Sequence, residues 1–147
     1  MPVGRLSVRQ YQAIHRHLFQ DVYPWAGRFR TVRISKGGSM FCYPEHIAAE
    51  MARLFAVLRG QRYMQGLNPP DFAARAAHFL AELNAIHPFR EGNGRTQLSF
   101  LALLADRAGQ ELDLDRMDPE KMLDAMVRSF EGDERQLADL ILELLDR

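Results

Sequence analysis

The chain has 147 residues, 47% of them apolar, which is enough for one domain with a hydrophobic core and excludes a disordered chain. Its 19 Lys and Arg balance 19 Asp and Glu, so no net field draws it to nucleic acid or to an anionic membrane surface. One cysteine, Cys42, excludes an internal disulfide, and no apolar run reaches the roughly 18 residues of a membrane span.

The first residues, "MPVGRLSVRQ", lack the apolar stretch of a signal peptide. A cytoplasmic protein is therefore expected, with signal-free secretion left open and no direct contact with nucleic acid or membrane. Apolar residues recur at helical spacing almost throughout. Ser7 is placed to cap a helix that buries Tyr11, Ile14 and Leu18 and ends near "YPWAG". Phe29, Thr31, Arg33 and Ser35 then alternate with Arg30, Val32 and Ile34 ahead of a Gly-Gly pair. That predicts a hairpin over about residues 29–43, the only strand signal in the sequence. For Arg30 and Arg33 a solvated strand face and a contact with a partner are equally good readings.

Pro44 starts a helix carrying Ile47, Met51, Leu54, Phe55 and Leu58, and Gly60 ends it. After "QGLNPPD", Phe72, Ala76, Phe79, Leu80, Leu83 and Ile86 mark a helix that stops at His87, because a residue before proline is disfavoured in the α region. "GRTQLSFLALLADRAG" is apolar on most faces, as a helix packed by others should be. Asp118-Pro119 begins another helix, Gly132 ends it, and Asp133 caps the last. The expectation is all-α: a single domain over residues 1–147 with about seven helices and one β-hairpin.

Between two of those helices stands "HPFREGNGRTQL", residues 87–98. Gly92 and Gly94 let the backbone turn sharply, and the turn runs directly into a helix N-terminus. Free amides and the positive end of the helix dipole then converge on one spot, which suits an anion. Arg95 adds a permanent charge with a fork that matches phosphate. Glu91 would repel a bare phosphate but suits one carried with Mg²⁺. His87 stands where it can take a proton from an attacking hydroxyl. Taken singly, each residue has an ordinary role as cap, solvated charge or surface histidine. Together they read as an anion-binding site with a base beside it, and the residues alone leave the reaction open.

"HPFREGNGR" resembles the signature of the Fic family, H-x-F-x-(D/E)-G-N-G-R-x-x-R, over nine consecutive positions. "FQDVYPWAGRFRTVRISKGGSMFCYP" resembles the family's segment leading into its hairpin, the flap. The resemblance implies the all-α Fic fold, an active-site loop at 87–95 and a flap at about 29–43. It also implies transfer of AMP from ATP with Mg²⁺ to a tyrosine, threonine or serine hydroxyl of a target protein, pyrophosphate leaving. On that reading His87 is the base and Glu91 holds Mg²⁺. The amides of Gly92, Asn93 and Gly94, together with Arg95, bind the phosphates. Phe89 anchors the loop, Lys36 and Gly37 border the nucleotide, and the flap docks the target.

The family's second arginine falls at position 98, where this chain has Leu98. Position 98 lies one helical turn beyond Arg95, on the pocket side, and a leucine there weakens the hold on the ATP tail, reflects another diphosphate-containing donor, or merely packs while the site tolerates it. The family's inhibitory motif, (S/T)-x-x-x-E-(G/N), is absent, since Val127 stands four residues before Glu131. Restraint of a toxin or effector of this type would then come from a separate antitoxin chain or from sequence outside these 147 residues. The competing class is a nucleotide- or phosphate-binding module without turnover. A phosphotransferase like the Doc branch fits less well, because the loop keeps "GNGR".

Overall fold

Helix α1 (Val8–Phe19) starts at its expected cap, the Ser7 side chain accepting the Gln10 N–H at 3.1 Å. The computed structural model describes residues 5–36 and 39–145. After α1 come β1 (Ser35–Lys36), β2 (Ser39–Met40), α2 (Pro44–Gly60), α3 (Pro69–Ile86), α4 (Asn93–Ala108), α5 (Pro119–Phe130) and α6 (Arg135–Leu144). Single 3₁₀ turns at Arg62–Met64 and Leu114–Arg116 lie between α2 and α3 and between α4 and α5. The described residues thus hold six α-helices, against about seven expected. Prolines open α2, α3 and α5, where the missing N–H has no partner to lose. At α6 the cap shifts by one residue. Glu134 holds the cap position, while the Asp133 carboxylate accepts the Arg135 N–H at 3.1 Å.

α3 lies at the centre, with nine buried residues and α2, α4, α5 and α6 packed on it. Ala73, Ala76, Ala77 and Ala81 keep its surface low, so the neighbours approach closely. α1 packs on α4 and α2. Between these helices sits an aromatic cluster of Tyr11, Phe55, Phe79, Phe89 and Phe100, with ring centroids 5.4–5.9 Å apart. Phe89 belongs to the loop between α3 and α4 and is fully buried, so the loop is tied directly to the core. Among the described residues no helix is long and apolar enough to cross a membrane.

The hairpin is shorter than its alternating pattern predicts. Among the described residues, ladder pairing covers only Ser35 with Met40 and Lys36 with Ser39, and Phe41 N–H reaches Ile34 C=O at 3.1 Å. The outer arms bond elsewhere: Arg30 N–H to Pro88 C=O at 2.9 Å and Cys42 N–H to Ala85 C=O at 3.1 Å. Backbone groups at the end of α3 and in the next loop need partners, and these arms supply them. The base of the hairpin is thereby fixed beside His87.

Candidate active site

His87 ends α3. Its N–H bonds Leu83 C=O at 2.8 Å and its backbone is left-handed, φ 50° and ψ 63°. Pro88 bars the right-handed helix, and the chain adopts the costlier left-handed well, an arrangement common where function over-determines the backbone. The ring stacks on Phe41 with centroids 3.9 Å apart. Nδ1 lies 3.2 Å from the Asn84 C=O. A carbonyl only accepts, so Nδ1 carries the proton and Nε2 keeps its lone pair. Burial, and then the Lys36 and Arg30 cations, push the imidazole pKa down to about 4 against the opposing Asn84 bond. His87 is therefore neutral at physiological pH.

Arg30 lies neither on a solvated strand face nor free for a partner, the two readings its sequence position allowed. It is 3% exposed. Its guanidinium donates to the carbonyls of His87 at 2.6 Å, Val32 at 2.7 Å and Ile86 at 3.1 Å, and also to Cys42. The last carbonyls of α3 have no helical donor, and Arg30 supplies one while joining both hairpin arms to the helix end. Arg33 does lie exposed, over the Tyr43 ring at 4.5 Å.

The loop turns at Gly92, whose φ is 83°. A Cβ there would lie 2.4 Å from the Phe19 ring, so both conformation and space require glycine. The Asn93 side chain is buried and makes a closed pair with one residue: Oδ1 accepts Phe89 N–H at 3.0 Å and Nδ2 donates to Phe89 C=O at 2.7 Å. Asn93 thus shapes the loop as well as opening the helix. The first bonded amide is that of Thr96, to Gly92 C=O at 3.1 Å, so the N–H groups of Asn93, Gly94 and Arg95 precede the helical ladder. A Cβ on Gly94 would meet nothing within 4 Å.

Behind the loop stands His15, which the sequence reading missed. It is fully buried, stacks on Phe89 at 3.8 Å and receives the Gly27 N–H on Nδ1 at 2.9 Å. Nε2 therefore carries the proton, which it donates to Glu91 C=O at 2.8 Å. Burial lowers its pKa, which keeps this neutral tautomer in place. The only sequence signal is helical spacing, with Tyr11, His15 and Phe19 along one face of α1.

A cavity of about 410 Å³ opens beside His87. Lys36, Phe41, Asn84, His87, Gly94 and Gln97 line one side of it, and Leu123, Met126, Val127 and Phe130 of α5, with Glu131 just after it, line the other. Of the predicted residues, it brings together Lys36, His87 and Gly94. Glu91 and Arg95 lie exposed on the loop outside the cavity lining, and Gly37 falls outside the described residues. Leu98, expected on the pocket side, is half-buried and packs on the core. Gln97 and the α5 wall were not anticipated. Gln97 is buried, and its Nε2 has no hydrogen-bond partner among the described residues. On α5, Leu123 and Val127 stand one helical turn apart and unusually exposed, at 67% and 50%.

Glu91 accepts a hydrogen bond on Oε2 from the Tyr23 hydroxyl at 2.9 Å. No group of three or more His, Cys, Asp and Glu side chains among the described residues could hold a metal ion. A lone carboxylate beside free amides fits Mg²⁺, which takes one or two carboxylates and fills its shell with substrate phosphates and water.

A family model described as the Fic/DOC family matches residues 5–105. The probable protein adenylyltransferase y4lH of Sinorhizobium fredii is 51% identical over 146 residues, covering 99% of this chain and 76% of that protein. The protein adenylyltransferase VbhT of Bartonella schoenbuchensis is 38% identical over 138 residues, covering 94% of this chain but 29% of its own length. Among solved structures, the N-terminal Fic domain of a VirB-translocated Bep effector protein from Bartonella quintana, with bound ADP, superposes with a TM-score of 0.86 at 29% identity. That match covers 99% of this chain and 75% of that one.

Proposed function

The chain belongs to the Fic/DOC family, and from that premise we propose that it is a protein adenylyltransferase, moving AMP from ATP to a hydroxyl side chain of a target protein. One observation carries the reading. His87, neutral and with Nε2 unprotonated, opens on the same cavity as Gly94 at the N-terminus of α4. A base and an anion site therefore share one chamber.

The cavity volume falls within the range of small-ligand sites. The apolar wall of α5 suits a nucleobase, and Glu131 and the unpartnered Gln97 amide offer it polar groups. The target hydroxyl gives its proton to His87 Nε2 as its oxygen attacks the α-phosphorus. The new P–O bond forms, the bond to the leaving pyrophosphate breaks, and the AMP stays on the target. Amides of Asn93, Gly94 and Arg95, the Arg95 guanidinium and Lys36 meet the negative charge that builds on the phosphates. Glu91 is the residue that would hold Mg²⁺, which when bound supplies charge neutralisation at those phosphates.

We read the chain as a single Fic domain whose hairpin docks the target. Val32, Met40 and Tyr43 are large apolar side chains left exposed on and beside that hairpin, and a short ladder leaves edge groups for an added strand. The role we assign is that of a toxin or translocated effector acting in a cytoplasm, restrained by a separate antitoxin chain. Incubation of the protein with Mg²⁺, a cell lysate and ATP labelled at either phosphate tests the reaction. Label on a protein band from α-labelled ATP, and none from γ-labelled ATP, is the expected result. Label from the γ-position would mean phosphoryl transfer, and none from either would leave a binding module.

A further inference from the structure

The Glu91 side chain is held from another part of the chain, by Tyr23 in the segment after α1, just as Arg90 and Arg95 of the same loop lie over the Trp25 ring at 5.7 Å and the Phe19 ring at 5.1 Å. Among the described residues the Glu91 carboxylate accepts a single hydrogen bond, on Oε2, from the Tyr23 hydroxyl at 2.9 Å. No bond falls on Oε1 among those residues. Tyr23 is itself fixed. Its ring stacks on Trp25 with centroids 4.3 Å apart, leans on Phe19 at 5.7 Å, and its N–H bonds Phe19 C=O at 2.9 Å. Trp25 in turn stacks on His15, the residue that holds the Glu91 backbone carbonyl. Glu91 is thus gripped at both ends by one aromatic cluster.

We propose that Tyr23 is a positioning residue, which occupies one oxygen of the Glu91 carboxylate and aims the other at the phosphate-bound cation. The proposal rests on the reading of Glu91 as the metal carboxylate. Left alone, an exposed glutamate samples several rotamers, and a cation binding it must stop that motion. A charge-assisted O–H···O⁻ bond from a stacked ring does so beforehand. Tyr23 lies outside the cavity lining and takes no part in proton transfer. Its effect passes through Glu91, as with the outer partners that orient metal ligands elsewhere.

Tyr23→Phe removes one oxygen and keeps the ring on Trp25. The test is calorimetric binding of a non-hydrolysable ATP analogue, with Mg²⁺ and with EDTA, to the parent, Tyr23→Phe, Glu91→Gln and the double variant. In Tyr23→Phe the gain in affinity due to Mg²⁺ should shrink by about tenfold, while metal-free affinity and melting temperature stay at parental values. In Glu91→Gln the gain should vanish, and the double variant should match Glu91→Gln. Loss of the gain in Glu91→Gln with full retention in Tyr23→Phe would overturn the positioning role and leave Glu91 as the metal carboxylate. A further loss in the double variant would also overturn it, because Tyr23 would then act elsewhere. Retention of the gain in Glu91→Gln would remove the reading of Glu91 and this proposal with it.

Discussion

At the scale of single residues, the two glycines of the loop do different work. Gly92 is fixed by its left-handed backbone and by the Phe19 ring, whereas Gly94 is helical and faces open space. Gly94→Ala should therefore leave the fold intact or stabilise it by about 0.5–1 kcal/mol, while weakening nucleotide binding by filling the phosphate approach. Gly92→Ala should instead lower stability by about 1–3 kcal/mol. Thermal melts paired with titration of an ATP analogue check both, and equal behaviour of the two variants would contradict the assignment. His87 makes a second prediction. Its pKa near 4 lies below the ordinary 6.5, so between those values the unfolded chain binds a proton that the folded chain refuses. Its contribution is complete above 6.5 and is lost as pH falls toward 4, at up to about 1.4 kcal/mol per pH unit. Denaturant melts across that window should show a shallower decline in His87→Asn than in the parent, and parallel declines would refute the shift. His15, also lowered, acts in the same direction in both proteins. The loop that carries His87, Glu91 and the glycines stood out in the sequence as a candidate because these residues fall within eight positions. His15 did not, since its partners Gly27 and Glu91 lie 12 and 76 residues away.

At the scale of elements, the hairpin is held less by its own ladder than by Arg30. Arg30→Ala would leave the carbonyls of Ile86 and His87 without their donor inside the protein, a loss on the order of 3 kcal/mol. Arg30→Lys should recover only part, because an ammonium cannot span four carbonyls as the guanidinium does. Denaturant midpoints of the parent and the two variants order the three proteins. An Arg30→Ala protein as stable as the parent would return the side chain to a solvated role. Alternation of side chains predicted a hairpin correctly in kind and too long in extent. Period-2 spacing marks extended backbone, but it does not say whether that backbone pairs with itself or with the end of α3. The helices were legible because caps and prolines are local signals: Ser7, Pro44 and Asp118-Pro119 each stand where the structure starts an element. The α5 wall was not, because Leu123 and Val127 read as ordinary helix positions until α5 is set against His87.

At the scale of the molecule, the packed core and the loop are one construction. Phe89 stacks with Tyr11 and His15 inside the aromatic cluster, and Asn93 closes on the Phe89 backbone. The loop's shape is therefore set by burial far larger than any single contact in it, and changing one side chain on the cavity side should leave it standing. That separation of scaffold from chemistry makes the central claim testable, namely that His87 is the base for AMP transfer. The direct measurement is the rate of labelling of lysate protein from α-labelled ATP and Mg²⁺ by the parent and by His87→Ala, both first shown by calorimetry to bind an ATP analogue equally. Loss of a positioned base should lower the rate by about 10²–10⁴-fold at unchanged affinity. Labelling by His87→Ala at the parental rate would contradict the account.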